Sequence, residues 1–476
     1  MFKRTSLQFV TLLSLLAVGA VAIKLVGEIA PVKSHNLWEA LTALPAEAAG
    51  TIYVDASVSG GAGTGSSWPD AYLKLQDALS AAASGDQIWV AAGVYYPDEG
   101  GGMTNDDRTM TFPLFHGVEL YGGFAGDETM LSQRNWETNV TVLSGDIDKN
   151  DMTDSNEVVT VATNIVGNNA YHVVTGGEPH GSAVLDGFTV TAGQANGTLP
   201  DNNGGGMFIW TTHPTVTNVN FIGNQGVYGG GMSNNSNSNP TLTNVSFTAN
   251  HAVSGGGMYN YANSSPTLTN VSFIGNQGVY GGGMNTLSFS HPTLTNVSFR
   301  GNLADYGGGM FSDDSFSQLT NVSFSGNKAT LFGGGMYSYI SLPSLTNAIF
   351  WNNQAGTSGH QIYNDSTTPV ISYSDIQGSG GSSSWDTALG SDGGNNIDAD
   401  PLFVTPVDPG TAPTTAGDLH LQYGSPAVDT GYNGFCPLTD LDGNTRPIDG
   451  NLDGSADCDI GAYEKLLDLF LPLIMR

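Results

Sequence analysis

Pro240-Thr241-Leu242-Thr243-Asn244-Val245-Ser246-Phe247 alternates polar and apolar side chains, the period of a half-buried strand, and breaks parity once, at Asn244. Leu242 and Val245 are three residues apart while Val245 and Phe247 are two apart, so the chain must bend at Asn244 for all three to point inward. Asn is among the few non-Gly residues that tolerate the left-handed conformation such a bend needs. The segment belongs to a 26-residue unit present in six copies. Gly-Gly-Gly-Met ends at Met207, Met232, Met258, Met284, Met310 and Met336, and Phe-x-x-Asn runs in phase from Phe221/Asn224 to Phe350/Asn353. A unit this short cannot bury a core alone, so each copy must stack on its neighbours.

Stacking turns each repeated residue into a column. Val216, Leu242, Leu268, Leu294, Leu319 and Leu345 form one apolar column, and the Phe and Met residues form two more. The bend asparagines Asn218, Asn244, Asn270, Asn296, Asn321 and Asn347 are expected to form an internal ladder of amides. Glycine punctuates every copy and nothing repeats with a helical period, which excludes a helical repeat.

The Gly-Gly-x-aliphatic and Phe-x-x-Asn pairing resembles the repeats of polymorphic outer-membrane proteins and of the right-handed parallel β-helix proteins that include pectate lyases. Thr51-Ile-Tyr-Val-Asp55, Gly65-Ser-Ser-Trp68, Leu75-Gln-Asp-Ala-Leu79 and Ile88-Trp-Val-Ala-Ala-Gly93 are similar to the N-terminal cap and first turns of such proteins. Gly424-Ser-Pro-Ala-Val-Asp429, Asp442-Gly-Asn-Thr-Arg446 and Asp459-Ile-Gly-Ala-Tyr-Glu464 resemble the closing segment of choice-of-anchor Q proteins. The resemblance implies an all-β, right-handed parallel β-helix with a short N-terminal helical cap, in an exported protein without catalytic residues to carry over. The expected organisation is a signal peptide at 1–22, with a cut as late as 48, and a cap with irregular turns over 51–203. The six repeats follow over 204–353, then C-terminal turns and a closing segment over 354–464, and an apolar tail over 465–476.

Lys3 and Arg4 followed by an apolar run ending at Ala20-Val-Ala22 have the layout of a secretory signal. No later segment is long and apolar enough to span a bilayer as a helix. The expected location is therefore secreted or cell-surface. With 13 Lys plus Arg against 43 Asp plus Glu, a formal charge of −30, the chain lacks the clustered cations that nucleic acid requires. Between Gly204 and Asn353 the only acidic residues are Asp305, Asp313 and Asp314, and the only basic ones are Arg300 and Lys328. The repeat surface is uncharged and rich in Asn, Ser, Thr and Gly. Its chemistry suits an extracellular polysaccharide or another neutral surface ligand.

This scarcity bears on catalysis. A polysaccharide lyase needs a basic residue near bound calcium, and a glycoside hydrolase needs two carboxylates at a set separation. Arg300, Asp305, Asp313 and Asp314, expected on adjacent rungs, form the one candidate catalytic cluster in the repeats. Surface charge on a degenerate repeat is the simpler explanation. Tyr228, Tyr280, Tyr306 and Phe332 precede the glycine triplets and are candidate ligand-stacking residues, or else interior fillers. Thr-x-Thr on four successive copies, from Thr215/Thr217 to Thr293/Thr295, resembles the ranks of ice-binding solenoids, a third reading. Asp449, Asn451, Asp453 and Asp457 match positions one, three, five and nine of a calcium loop around Gly454, with Ile460 in place of the closing Glu. Calcium is the only cofactor indicated. Cys436 and Cys458, the sole cysteines, are expected to pair in an exported protein.

Overall fold

The computed structural model describes residues 50–176 and 181–466; the segments assigned to signal and apolar tail, save Lys465 and Leu466, lie outside them. The chain coils into a parallel β-helix in which each turn adds one strand to each of several parallel stacks. One stack runs Thr51–Val54, Gln87–Ala91, Glu119–Phe124, Val184–Asp186 and Thr215–Thr217. A second runs Gly93–Tyr95, Thr141–Ser144, Thr189–Thr191 and Asn220–Ile222. From Thr241–Thr248 onward the two merge into single eight-residue strands bent at Asn244 and its counterparts. A nine-stranded sheet, from Phe112–Leu114 to Ile362–Asp365, forms another wall.

The repeat sets the register. Leu242 lies beside Leu268, Val245 beside Val271 and Phe247 beside Phe273, so like stacks on like. The Phe column is fully buried, with ring centroids 4.3–5.0 Å apart from Phe221 to Phe350. The Met column is buried beside it. The rungs approach so closely at the glycine triplet that a Cβ on Gly257 would lie 2.6 Å from the Gly283 carbonyl oxygen.

The bend asparagines adopt φ of +52° to +55°, as the parity break predicts. Their side chains stack, Asn244 Nδ2 donating to Asn218 Oδ1 at 3.1 Å and Asn296 Nδ2 to Asn270 Oδ1 at 2.9 Å. The ladder runs along the outer face of the merged sheet and not inside the coil: Asn244 is exposed and Asn218 partly so, whereas Asn270, Asn296, Asn321 and Asn347 are buried, the last three bonded to the C-terminal segment that covers them. Val245 takes the next inward position, which leaves the bend residue on the convex corner. The internal ladder is built instead from the asparagines of Phe-x-x-Asn. Asn276 Nδ2 donates to Phe247 O (2.8 Å) and Asn302 Oδ1 (3.0 Å), while its Oδ1 accepts from the backbone N–H and Nδ2 of Asn250 (both 3.0 Å).

The helix Leu75–Ala81 caps the N-terminal end, burying Leu75, Ala78 and Leu79 against Val54 and Ile88. The other end departs from a simple coil. The last rung strand is Ser391–Asp392, after which residues 399–465 fold back over the outer face of the merged sheet. Phe403, Val407, Leu419, Leu421, Val428 and Ile460 bury there against Ile349. Cys436 and Cys458 form a disulfide within this strap, and Asn321 Nδ2 donates to Cys458 Sγ at 3.3 Å. The closing segment thus clasps the side of the solenoid.

Candidate functional site

In the nine-stranded sheet the Met residues and the positions two further on point inward, and the intervening positions point outward. The outward columns are rich in aromatics. In register, Phe208, Ser233, Tyr259, Asn285, Phe311, Tyr337 and Tyr363 form one column, and Trp210, Asn235, Tyr261, Leu287, Asp313, Tyr339 and Asp365 form the next. Tyr228, Tyr280, Tyr306 and Phe332 lie alongside on the outer surface, each at least partly exposed. They are a ledge and not interior filler. Tyr280 and Tyr306 stack at 5.3 Å and 9°, and Phe311 and Tyr337 at 5.0 Å and 14°.

Rings stacked face to face along the solenoid axis cover each other's faces and offer mainly their edges to solvent. A face opens only where the column is interrupted. Ser233 and Asn235 make such a break, leaving Phe208 and Trp210 two rungs from Tyr259 and Tyr261, about 9.6 Å along the axis. A cleft of about 760 Å³ opens there, walled by these four rings with Tyr228 and rimmed by Leu199 and Pro200. Trp210 is 53% exposed and Tyr261 42% exposed. Phe208 is braced from behind by the His172 ring at 5.1 Å. The polar floor is preorganised: Asn235 Nδ2 donates to Ser233 Oγ (2.9 Å) and Asn203 Oδ1 (3.3 Å), and Asn203 Nδ2 to Pro200 O (3.1 Å). Burial, then the neighbouring Tyr228 and Tyr261, hold the Tyr259 phenol above its ordinary range, so it stays a neutral donor. The lining carries no carboxylate and no cation.

Parity could have revealed Phe208, Trp210, Tyr259 and Tyr261, since each stands one or three residues beyond a column Met. The glycine triplets draw attention to the residues before them and away from those after. The candidate catalytic cluster is dispersed. Arg300 ends a strand of the merged sheet and donates through Nη1 to Gly417 O beneath the strap. Asp305 lies on the short strand Leu303–Tyr306 and accepts from Thr330 Oγ1 at 2.5 Å. Asp313 ends Met310–Asp313 on the nine-stranded sheet with Asp314 next to it; burial, then the Asp314 charge, raise its carboxyl above the usual range. No ion pair among the described residues joins Arg300 to any of them.

In the candidate calcium loop the acidic oxygens close turns on their own backbone. Asp449 accepts from the Asp453 and Gly454 N–H groups (3.1 and 2.9 Å), Asn451 from Asp453 N–H (2.9 Å) and Asp453 from Ser455 N–H (2.9 Å). Asp457 accepts from Ser455 Oγ (3.0 Å) and from Asn433. The Thr-x-Thr ranks keep their register on the merged sheet, with Thr215, Thr241 and Thr267 exposed.

No family model and no curated protein matches the chain. Among solved structures, pectate lyase Pel9A aligns over 87% of this chain and 96% of its own, at 13% identity and a TM-score of 0.44. PfbA, a surface adhesin of Streptococcus pneumoniae, aligns over 63% and 80% at 12% identity and a TM-score of 0.32. Pectin methylesterase PemA from Erwinia chrysanthemi aligns over 71% and 93% at 9% identity and a TM-score of 0.32. At such values no residue role or activity transfers from one to the other.

Proposed function

We propose that the protein is an exported, non-catalytic β-helix that binds a neutral glycan in the aromatic cleft. The observation that carries this reading is the interruption of the ring columns at Ser233 and Asn235, which leaves Trp210 and Tyr261 exposed across a cleft with a fixed amide floor. Sugar rings present C–H groups to aromatic faces and hydroxyls to amides, and this cleft supplies both. Charge favours a neutral chain over a polyuronate. The lining has no cation, while Asp313 and Asp365 stand further along the same outward column and would repel carboxylates. Export is supported by the signal-like N-terminus and by the Cys436–Cys458 disulfide, which an oxidising compartment preserves. The resemblance of the repeats and closing motifs to polymorphic outer-membrane and choice-of-anchor Q proteins favours a cell-surface setting. No helix among the described residues is long and apolar enough to cross a membrane.

The test is a glycan array followed by calorimetry on the best ligand, with Trp210→Ala and Tyr261→Ala compared against Tyr339→Ala, which is remote from the cleft. Loss of a stacking ring is expected to weaken binding roughly tenfold or more. Release of reducing ends or unsaturated uronates from a polysaccharide panel overturns the non-catalytic part. Binding insensitive to both cleft variants overturns the site.

A further inference from the structure

Asp146-Ile147-Asp148-Lys149-Asn150-Asp151 makes a turn after the strand Thr141–Ser144 and ties down residues 166–169 at the far side of the same excursion. Asp146 accepts from the backbone N–H groups of Asn150 (3.0 Å) and Asp151 (3.1 Å). Asp148 Oδ2 accepts from Asn168 N–H at 2.8 Å, and Asp151 accepts from Val166 N–H (2.5 Å) and Asn169 Nδ2 (2.7 Å). The cation within this stretch is turned away: Lys149 Nζ donates to Glu99 at 2.6 Å and sits over the Tyr96 ring. Three carboxylates therefore meet in one knot with no cationic side chain among them.

Two oxygens of this knot are buried acceptors with no donor among the described residues. Asn169 is fully buried, and its Nδ2 spends its hydrogens on Asp151 and on Ala192 O (2.7 Å), which leaves Oδ1 unmatched. Asp148 Oδ1 is unmatched in the same way. Buried acceptors without a donor call for a water or a cation. The approach is made possible at Gly167, φ +78°, where a Cβ would lie 2.4 Å from Asp148 Oδ2 and 2.5 Å from Asn150 Nδ2.

The spacing agrees. Asp146, Asp148, Asn150, Asp154 and Glu157 stand at positions one, three, five, nine and twelve of a calcium loop. The second half departs from that pattern, because Asp151 replaces the position-six glycine, Asp154 caps its own turn and Glu157 accepts from the Tyr96 hydroxyl. We propose that Asp146, Asp148, Asn150 and Asn169 bind a calcium ion. No group of three or more His, Cys, Asp or Glu among the described residues is arranged to hold a metal. The proposed set is instead two carboxylates and two side-chain amides, all-oxygen donors that suit a hard cation with flexible coordination. Asn169 lies three residues before His172, the ring that backs Phe208, so the ion braces the chain entering the cleft wall.

The test titrates the chelator-treated full chain with calcium by calorimetry and follows hydrogen exchange with and without the ion. Wild type and an Asp449→Asn/Asp453→Asn variant should bind alike, Asp148→Asn should bind at least about tenfold more weakly, and residues 145–170 should gain protection in wild type. The proposal fails if wild type does not bind or if Asp148→Asn binds unchanged. It also fails if the C-terminal variant loses binding, which places the ion in that loop, or if calcium leaves exchange over 145–170 unaltered, a reading that needs no variant to fold.

Discussion

Asn244 and Asn276 carry the same side chain under opposite constraints. Asn244 is present for its backbone, since φ of +54° is reached cheaply by Asn or Gly and by few others. Asn276 is present for its amide, which makes four hydrogen bonds in a site closed to water. Asn244→Gly is expected to cost under about 1 kcal/mol. Asn276→Gly leaves several buried groups unpaired and is expected to cost at least about 3 kcal/mol, at roughly 1–3 kcal/mol for each group orphaned. Denaturant melts of the two variants decide the matter; equal losses would mean that both ladders act through the same term. The parity break alone made the bend legible in the sequence. It could not say that the bend residue faces outward, because that depends on which neighbour takes the next inward position.

At the scale of the element, the strap over residues 399–465 is held by a buried knot. Arg446 and Glu464 pair at 2.6 Å with both side chains wholly inaccessible. The same guanidinium donates to Asn296 Oδ1 (3.2 Å) and to the Asp459, Gly461 and Tyr463 carbonyls (3.1 Å each). Arg446→Ala leaves a buried carboxylate without its partner and is expected to destabilise the strap by about 3–5 kcal/mol. Loss of near-ultraviolet signal with the solenoid's far-ultraviolet spectrum intact would show this; an unchanged melt would place the anchor elsewhere. The motifs that hold Arg446 and Glu464 are legible in sequence, but their pairing across irregular chain is not, since no period links them.

The strap also has a titrating contact. The Asp442 hydrogen bond raises His420, partial burial opposes it, and the Asp418 hydrogen bond adds to the rise, so that its pKa is pushed up to about 9. A folded value above the ordinary 6.5 means that charged His420 stabilises the strap fully below pH 6.5 and that this support fades between 6.5 and 9. The side chain is 41% exposed, so screening keeps the effect small. The strap's exchange rate, corrected for intrinsic pH dependence, should rise between pH 6 and 9.5 in wild type. In His420→Gln it should rise less. Parallel profiles would sink the assignment.

On the scale of the whole molecule, two kinds of stability are joined along one wall. The solenoid is a one-dimensional stack in which each rung leans on identical neighbours through the Phe, Met and Asn columns. The strap has almost no regular ladder and instead borrows order from the solenoid: Asn347 Oδ1 accepts from Tyr432 N–H (2.7 Å), Ser323 Oγ from Ala462 N–H (3.0 Å) and Gly301 O from Thr414 N–H (2.9 Å). Its own cross-link, Cys436–Cys458, closes a 22-residue separation, for which chain entropy predicts a gain of about 3 kcal/mol. Because the contacts run from strap to solenoid, and the solenoid's columns do not depend on the strap, the two should separate on reduction. With thiol reductant, protection should fall over residues 425–465 and on the outer Asn296–Asn347 positions beneath, while the inner Phe-x-x-Asn ladder keeps its slow exchange. Loss of protection at Asn276 and Asn302 at the same rate as in the strap would instead make the molecule one cooperative unit, with the strap part of the fold's core.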